Sequence, residues 1–216
     1  MIGQSAGKSF AYILGVYLGD GCVTTWRCKG KSDRLAFRLN TIDQDFAQAV
    51  KAALENMSER TVTIGSHAVK KSTKPNWYIC LHDREICERL VRETNKKMEI
   101  PCYVYSWPND HKLAFIAGLM DSEGHVSINS RGSIYIGFRN TANWFMEAVR
   151  VFQSVGLVVG KLGKEILPSG KQYHRVSFKL ASWLKSGAFF NIARKQERVD
   201  KWHAAKLTSE TIRQTP

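Results

Sequence analysis

The chain changes its hydrophobic rhythm at fixed places, and those changes mark its elements. From Ala11 to Gly19 every residue is apolar, aromatic or glycine. A helix apolar on all sides is buried on all sides. Gly15 interrupts the run, where it costs about 1 kcal/mol against Ala. A glycine in such a place marks the close approach of another backbone. The run ends on Asp20-Gly21. An acid there faces the negative end of the helix dipole, and a cation beside it would resolve the conflict. Gly21 suits a left-handed residue just past the last turn. The period then falls to two. Residues 22–26 and 34–40 read as strands, with Leu35, Phe37 and Leu39 on one face and Arg34 and Arg38 on the other. Residues 42–57 return to a helical period, with Phe46, Val50 and Leu54 in one stripe. Strands are expected at 60–66 and 76–81, then a helix over 83–94 with Asp83 as its N-cap.

The pattern then starts again. Residues 113–124 align with residues 10–21 without a gap, at a shift of 103 positions. Gly15 pairs with Gly118, Asp20 with Glu123 and Gly21 with Gly124. Two copies of one unusual helix imply two halves of one fold. If the helices pack face to face, Gly15 and Gly118 form the helix interface and the two acids emerge side by side. Strands follow at 126–130 and 133–139, a helix at 144–155, and strands at 157–162 and 173–179 around a basic loop, 163–172. Helices close the half at 183–190 and 194–207, and the polar tail from Thr208 reads as frayed. Each half is therefore α-β-β-α-β-β-α, an α+β fold. The expected organisation is an N-terminal subdomain (1–97), a linker (98–111) and a C-terminal subdomain (112–216). The linker holds Pro101 and Pro108, and its Tyr103, Tyr105 and Trp107 suit packing against the body.

Residues 13–21 (ILGVYLGDG) and 116–124 (IAGLMDSEG) resemble the LAGLIDADG motif of homing endonucleases. Two copies in register, each ending in acid-Gly, resemble the single-chain form with two motifs. The resemblance implies that each half carries a curved antiparallel sheet, and that the two sheets form a saddle over DNA. It implies cleavage of both strands across the minor groove, leaving 3′ overhangs. One acid per motif, Asp20 and Glu123, would bind metal, helped by the backbone carbonyls of Gly19 and Ser122. Asp121 would have a structural role. Polar residues after the second strand of each half order water in the family, which places Asn40 and Asn140 among the catalytic candidates. The alternative is that both form turns into the next helix, since Asn and Thr are good N-cap residues. A basic residue at the end of the fourth strand is also common in the family. Lys179 fits in the second half, while the first half has His82 and leaves a lysine pair in doubt.

Chemistry agrees with the assignment of the acids. Two adjacent carboxylates are unfavourable without a cation between them, and Mg²⁺ prefers oxygen ligands. Mg²⁺ is the expected cofactor. Mn²⁺ is expected to substitute for it, and Ca²⁺ to bind without cleavage. The chain of 216 residues carries a net charge of +13 and a sequence pI of about 9.7, which points to a polyanionic partner. The charge is uneven: residues 1–110 carry net +4 and residues 111–216 net +9. The expected DNA surface comprises Arg27, Lys29, Lys31, Arg34, Arg38, Lys70, Lys71, Lys74 and Trp77 in the first half. In the second half it comprises Arg131, Arg139, Lys161, Lys164, Lys171, Tyr173 and Arg175. A two-stranded ribbon fits the major groove, and lysine mostly holds phosphate.

Five Cys without a C-x-x-C pair fit reduced thiols in an intracellular, soluble protein rather than a zinc site or disulfide framework. Both apolar helices are too short to span a bilayer, so no membrane partner is expected. A double-stranded DNA target and a monomer are. The rival readings are an RNA maturase that binds intron RNA, a DNA-binding regulator on the same scaffold, and a generic basic scaffold protein.

Overall fold

The computed structural model describes residues 4–26, 33–68, 73–130, 132–167, 170 and 172–214, with side chains from Ser5 to Ala205. Arg27, Lys29, Lys31, Lys70, Lys71, Arg131 and Lys171 lie outside the described residues. The first half runs α1 (Gln4–Leu18), β1 (Cys22–Trp26), β2 (Arg34–Thr41), α2 (Gln44–Glu55), β3 (Val62–His67), β4 (Asn76–Leu81) and α3 (Arg84–Glu93). A 3-10 turn (Cys102–Ser106) leads to α4 (Asn109–Glu123). The second half continues with β5 (Gly124–Ile128), β6 (Ile134–Asn140), α5 (Phe145–Ser154), β7 (Gly163–Ile166) and β8 (Gln172–Phe178). It ends with α6 (Leu180–Ser186) and α7 (Ala193–Gln214). The sheets are antiparallel, in the orders β1-β2-β4-β3 and β5-β6-β8-β7.

The centre is the pair α1 and α4. A Cβ on Gly15 would lie 2.3 Å from the Phe115 carbonyl oxygen, and one on Gly118 would lie 2.2 Å from the Tyr12 carbonyl oxygen. Backbone meets backbone here, so only glycine fits. One turn on, a Cβ on Gly19 would lie 2.4 Å from Ser122 Cβ. Small residues spaced by four on both helices keep the axes close down to the acids. Gly21 differs from expectation. It is not among the glycines with positive φ. It is small because a Cβ would meet the Phe37 ring at 2.9 Å, and Gly124 is confined in the same way by the Met120 carbonyl oxygen at 2.4 Å. Both sheets lay one apolar face on this pair and on the helices behind it. Phe37, Leu39, Ile79 and Leu81 fill the first half, and Ile136, Phe138, Val176 and Phe178 the second.

Three second-half elements move by three residues or more. The strand expected at 157–162 pairs with β8 only through the bridge Val159↔Phe178, and the regular ladder begins at Gly163↔Arg175. The register slips by one residue between the two, which is a bulge. Helix α6 starts at Leu180 rather than Trp183 and stops where Gly187 turns left-handed (φ 76°). Helix α7 runs on to Gln214 instead of fraying at Thr208.

Candidate active site

Asp20 follows the last turn of α1, and Glu123 is the last residue of α4. Glu123 crosses the facing helix end: its Cγ lies 3.4 Å from where a Gly19 Cβ would be. Each acid opens into a cleft. Asp20 lines one of about 490 Å³ with Asn40, His125 and Lys195. Glu123 lines one of about 860 Å³ with His125, Arg139, Lys161 and Arg175. Ser122, Gly124 and His125 line both, so the two clefts adjoin along this stretch. Burial of its carboxyl raises the Asp20 pKa, and Lys195 and Lys97 oppose that rise.

Those two lysines complete the helix ends. Lys97 Nζ donates to the carbonyls of Gly19 (2.6 Å) and Gly21 (3.2 Å) at the end of α1. Lys195 Nζ donates to the carbonyls of Met120 (3.0 Å) and Asp121 (2.7 Å) near the end of α4. A cation at a helix C-terminus compensates the dipole that opposes an acid there. Burial lowers the Lys97 pKa, while Asp20 and Glu123 support its charge. Lys195 is 6% exposed, and burial brings its pKa down to about 8. Asp121 is fully engaged elsewhere. It accepts from Tyr12 Oη (2.9 Å) on α1, from Asn191 N–H (3.0 Å) and Nδ2 (2.9 Å), and from Ile192 N–H (3.3 Å) before α7.

The strand registers set the rest of the site. Cys22 and His125 are equivalent in the repeat. Cys22 lies opposite Arg38 and His125 opposite Gly137. Arg38 therefore corresponds to Gly137, Asn40 to Arg139 and Thr41 to Asn140. Asn40 is exposed beside Asp20. Asn140 is 7% exposed and its Oδ1 accepts from Ala142 N–H (2.7 Å), as Thr41 Oγ1 accepts from Asp43 N–H (3.1 Å). Asn140 is thus a turn cap rather than a groove residue. Lys179 is the N-cap residue of α6 and lines a separate pocket with Phe178, Leu184 and Trp202, so it does not join the acids.

Arg34 and Arg38 are exposed on the outer face of β2, and Arg38 sits 4.8 Å from the centre of the Trp26 ring. Arg139, Arg175 and Lys161 are exposed around Glu123, and Arg139 lies 5.5 Å from the Tyr173 ring centre. Trp77, expected on the DNA surface, is packed against the core, because it shares the inner face of β4 with Ile79 and Leu81. Tyr78 takes the outer face instead. Lys164 alternates with Gly163 on the helix-side face of β7, aligned with His174 and Asn140, so it points away from the Glu123 cleft. Lys74 lines an edge pocket beside Pro75, Asp43 and Arg194.

Solved structures share this fold. The homing endonuclease I-DmoI superposes with a TM-score of 0.60 at 14% identity, covering 85% of this chain and 94% of that one. The LAGLIDADG meganuclease I-AabMI, bound to uncleaved DNA, gives 0.53 at 13% identity, covering 94% and 91%. The N-terminal LAGLIDADG domain of DUF199/WhiA gives 0.51 at 14% identity, covering 84% and 79%. This chain has the LAGLIDADG homing-endonuclease fold. No family model matches it. Two proteins of Methanocaldococcus jannaschii are similar in sequence, both named as uncharacterized. MJ0314 is 28% identical over 144 residues, 66% of this chain and 51% of that protein, so the chain spans about half its length. MJ0398 is 24% identical over 211 residues, 93% of this chain and 73% of that protein.

On the LAGLIDADG scaffold, the donor set at the helix ends suits a hard divalent cation. Both acids are carboxylates, and the Gly19 carbonyl already faces a cationic group. Among the described residues no cluster of three or more His, Cys, Asp or Glu forms, so water and phosphate would complete an oxygen shell of the kind Mg²⁺ keeps. His125 sits at the junction with its ring over Gly137 and its Nδ1 buried without a hydrogen bond. Burial first, then Arg139 and Lys195, lowers its pKa. Sequence reasoning missed Lys97 and Lys195, yet a signal was there. Lys96-Lys97 and Arg194-Lys195 recur 98 positions apart, the spacing that also relates Gly65 to Gly163. Among the described residues no helix is long and apolar enough to cross a membrane.

Proposed function

We propose that the protein is a divalent-metal-dependent endonuclease that cuts both strands of a long, asymmetric DNA site as a single chain. The observation that carries this reading is the pressing together of two acid-ended helices at Gly15 and Gly118, which brings Glu123 Cγ within 3.4 Å of where a Cβ on Gly19, the neighbour of Asp20, would lie. The two carboxylates and the Gly19 carbonyl would hold the cation. A bound Mg²⁺ supplies charge compensation at the scissile phosphate and acidity to water. Lys97 and Lys195 add positive charge beside the acids. Arg139, Lys161 and Arg175 hold backbone phosphate in the second half, and Arg34, Arg38 and Asn40 face the other half-site. I-DmoI has been solved with DNA and with Ca and Mn, which supports divalent metal and DNA as the ligands here. The two halves are unequal, which suits a target without a palindrome and a monomeric enzyme.

A second reading has one observation in its favour. The Lys97 ammonium takes the Gly19 carbonyl and interacts with both acids, and Lys195 adds a second positive charge at Asp20, so the two lysines compensate the pair without a metal. On that reading the protein binds DNA, or an intron RNA as a maturase does, and does not cut. Incubation with a randomised double-stranded DNA library separates the two, run with Mg²⁺ and with Ca²⁺ and alongside Asp20→Asn and Glu123→Gln. Specific Mg²⁺-dependent cuts that either substitution abolishes, with binding retained, support the nuclease. A discrete bound sequence that is never cut supports the binder.

A further inference from the structure

The segments that carry Lys97 and Lys195 are each gripped by the other half of the molecule, while the ammonium groups cap helix ends of their own half. Lys97 is pinned at three points. Its N–H donates to Thr94 Oγ1 (3.0 Å), its carbonyl accepts from Trp144 Nε1 (3.1 Å), and its ammonium reaches Gly19 and Gly21. It is also the last of three successive residues with left-handed φ: Asn95 (45°), Lys96 (56°) and Lys97 (70°). That region is unfavourable for any residue with a Cβ, and a run of three persists only where its surroundings over-determine it. The bond to Trp144 is the one that comes from the second half. Trp144 is the N-cap residue of α5 and is 1% exposed. Glu147, in the first turn of α5, accepts from Ile100 N–H (2.9 Å), so the same helix start grips the chain on both sides of Met98.

The other lysine repeats the arrangement with the halves exchanged. The N-cap residue of α2 is Asp43. Arg194, next to Lys195, donates through Nε and Nη2 to Asp43 Oδ1 (2.6 Å) and Oδ2 (2.8 Å). Ala193 N–H donates to the Asp45 carboxylate. The bidentate geometry fixes direction as well as distance. Each half thus uses the start of the helix behind its sheet to grip the lysine segment of its partner half.

We infer that Trp144 and Asp43 are reciprocal positioning residues, each locking the opposite half's lysine against the end of a LAGLIDADG helix. Each lysine is then set separately by the opposite half, and a half folded alone presents neither in place. What the lysines do rests on the nuclease reading. The clamp itself can be measured without cleavage.

The test is acylation of lysines in the full-length folded protein, read by peptide mass spectrometry. Trp144→Phe removes the indole N–H and raises the acylation rate of Lys97 about fivefold, the effect of one net hydrogen bond, with Lys195 unchanged. Asp43→Asn raises Lys195 and leaves Lys97. Trp183→Phe is the packing control, because Trp183 is equally buried and its Nε1 makes no hydrogen bond; it should leave both lysines as they are. Unchanged rates, a rise at both lysines from one substitution, or the same rise from Trp183→Phe would overturn the clamp. Where the wild type cuts DNA, Trp144→Phe lowers kcat at unchanged DNA affinity, and adding it to Lys97→Met lowers kcat no further. An additive loss counts against positioning. Absence of cleavage by the wild type refutes the nuclease reading, while the acylation pattern still decides the clamp.

Discussion

The helix pair and the sheet faces have treated the repeat differently. Along α1 and α4 the halves match at each position of closest approach: Gly15 with Gly118, Gly19 with Ser122, Asp20 with Glu123. On the outer faces of the sheets they do not. Where the first half has Arg38, Asn40, Tyr78 and Cys80, the second has Gly137, Arg139, Arg175 and Ser177. The helices touch through backbone atoms, which no side-chain exchange can accommodate. The sheet faces open to solvent, where a substitution costs little. Symmetry survives where packing enforces it, and the faces free to vary are those that would meet two different half-sites.

The largest effect tests the symmetric part. Asp20→Asn and Glu123→Gln should each lower single-turnover cleavage by about 10²–10³-fold, the scale for losing one preorganised electrostatic group. Affinity for DNA, followed by filter binding, should persist. A large loss from only one of them would show that the acids are not equivalent.

Gly15→Ala and Gly118→Ala should each cost about 3 kcal/mol by urea denaturation, the upper range for overpacking. Helix propensity alone would favour Ala by about 1 kcal/mol. A stabilised variant would show that the helices can move apart.

Asp121→Leu installs the residue type of the equivalent Leu18, but leaves Tyr12 Oη and the N–H groups of Asn191 and Ile192 without their acceptor. A loss of about 2 kcal/mol is expected in thermal unfolding, from buried donors left unpaired.

The unequal faces predict unequal salt dependence. Removing Arg139 or Arg175 should each flatten the log–log salt slope of DNA binding by about 0.9, the value for one phosphate contact. Asn40→Ala and Tyr78→Ala should leave the slope unchanged. Equal slopes in all four would mean that the second half does not dominate backbone affinity.

The smallest effect concerns pH. Lys195 ionises near 8 in the fold, against an ordinary value of 10.5. Below about 8 it is charged, so any activity that needs its ammonium falls as pH rises through that point, and Lys195→Arg should move the fall upward. Stability runs the other way. Between about 8 and 10.5 the unfolded chain binds more protons at this group, so its contribution to stability rises with pH. Rate and unfolding profiles compared with Lys195→Met isolate both trends.

Much of this was readable beforehand, for definite reasons. The helix pair was legible because burial on all sides leaves an unbroken apolar run, and because a second copy fixed the register. Strands 22–26 and 76–81 were legible because a half-buried strand must alternate. Asp83 was legible as a cap, and its carboxylate accepts from Ile86 N–H (3.2 Å). The basic ribbons were legible only as composition. Trp77 went to the wrong face because aromatic residues suit both core and nucleic acid, although its two-residue spacing from Ile79 placed it inside. Asn40 and Asn140 look paired because Asn-Thr closes the second strand in both halves, yet the strand registers offset the two copies by one residue.

The sequence by itself determined the two-fold repeat, the antiparallel α+β architecture and the identity of the two terminal acids. Each of these follows from local periodicity or from exact spacing, which the chain carries in one dimension. Only the tertiary structure decided that Lys97 and Lys195, rather than Lys179, stand at those acids, that Asn140 turns inward, and that Trp144 and Asp43 reach across to the opposite half. Those choices depend on distances between residues tens of positions apart. They are set by how closely two glycine-bearing helices allow the halves to approach, and no short window of sequence records that.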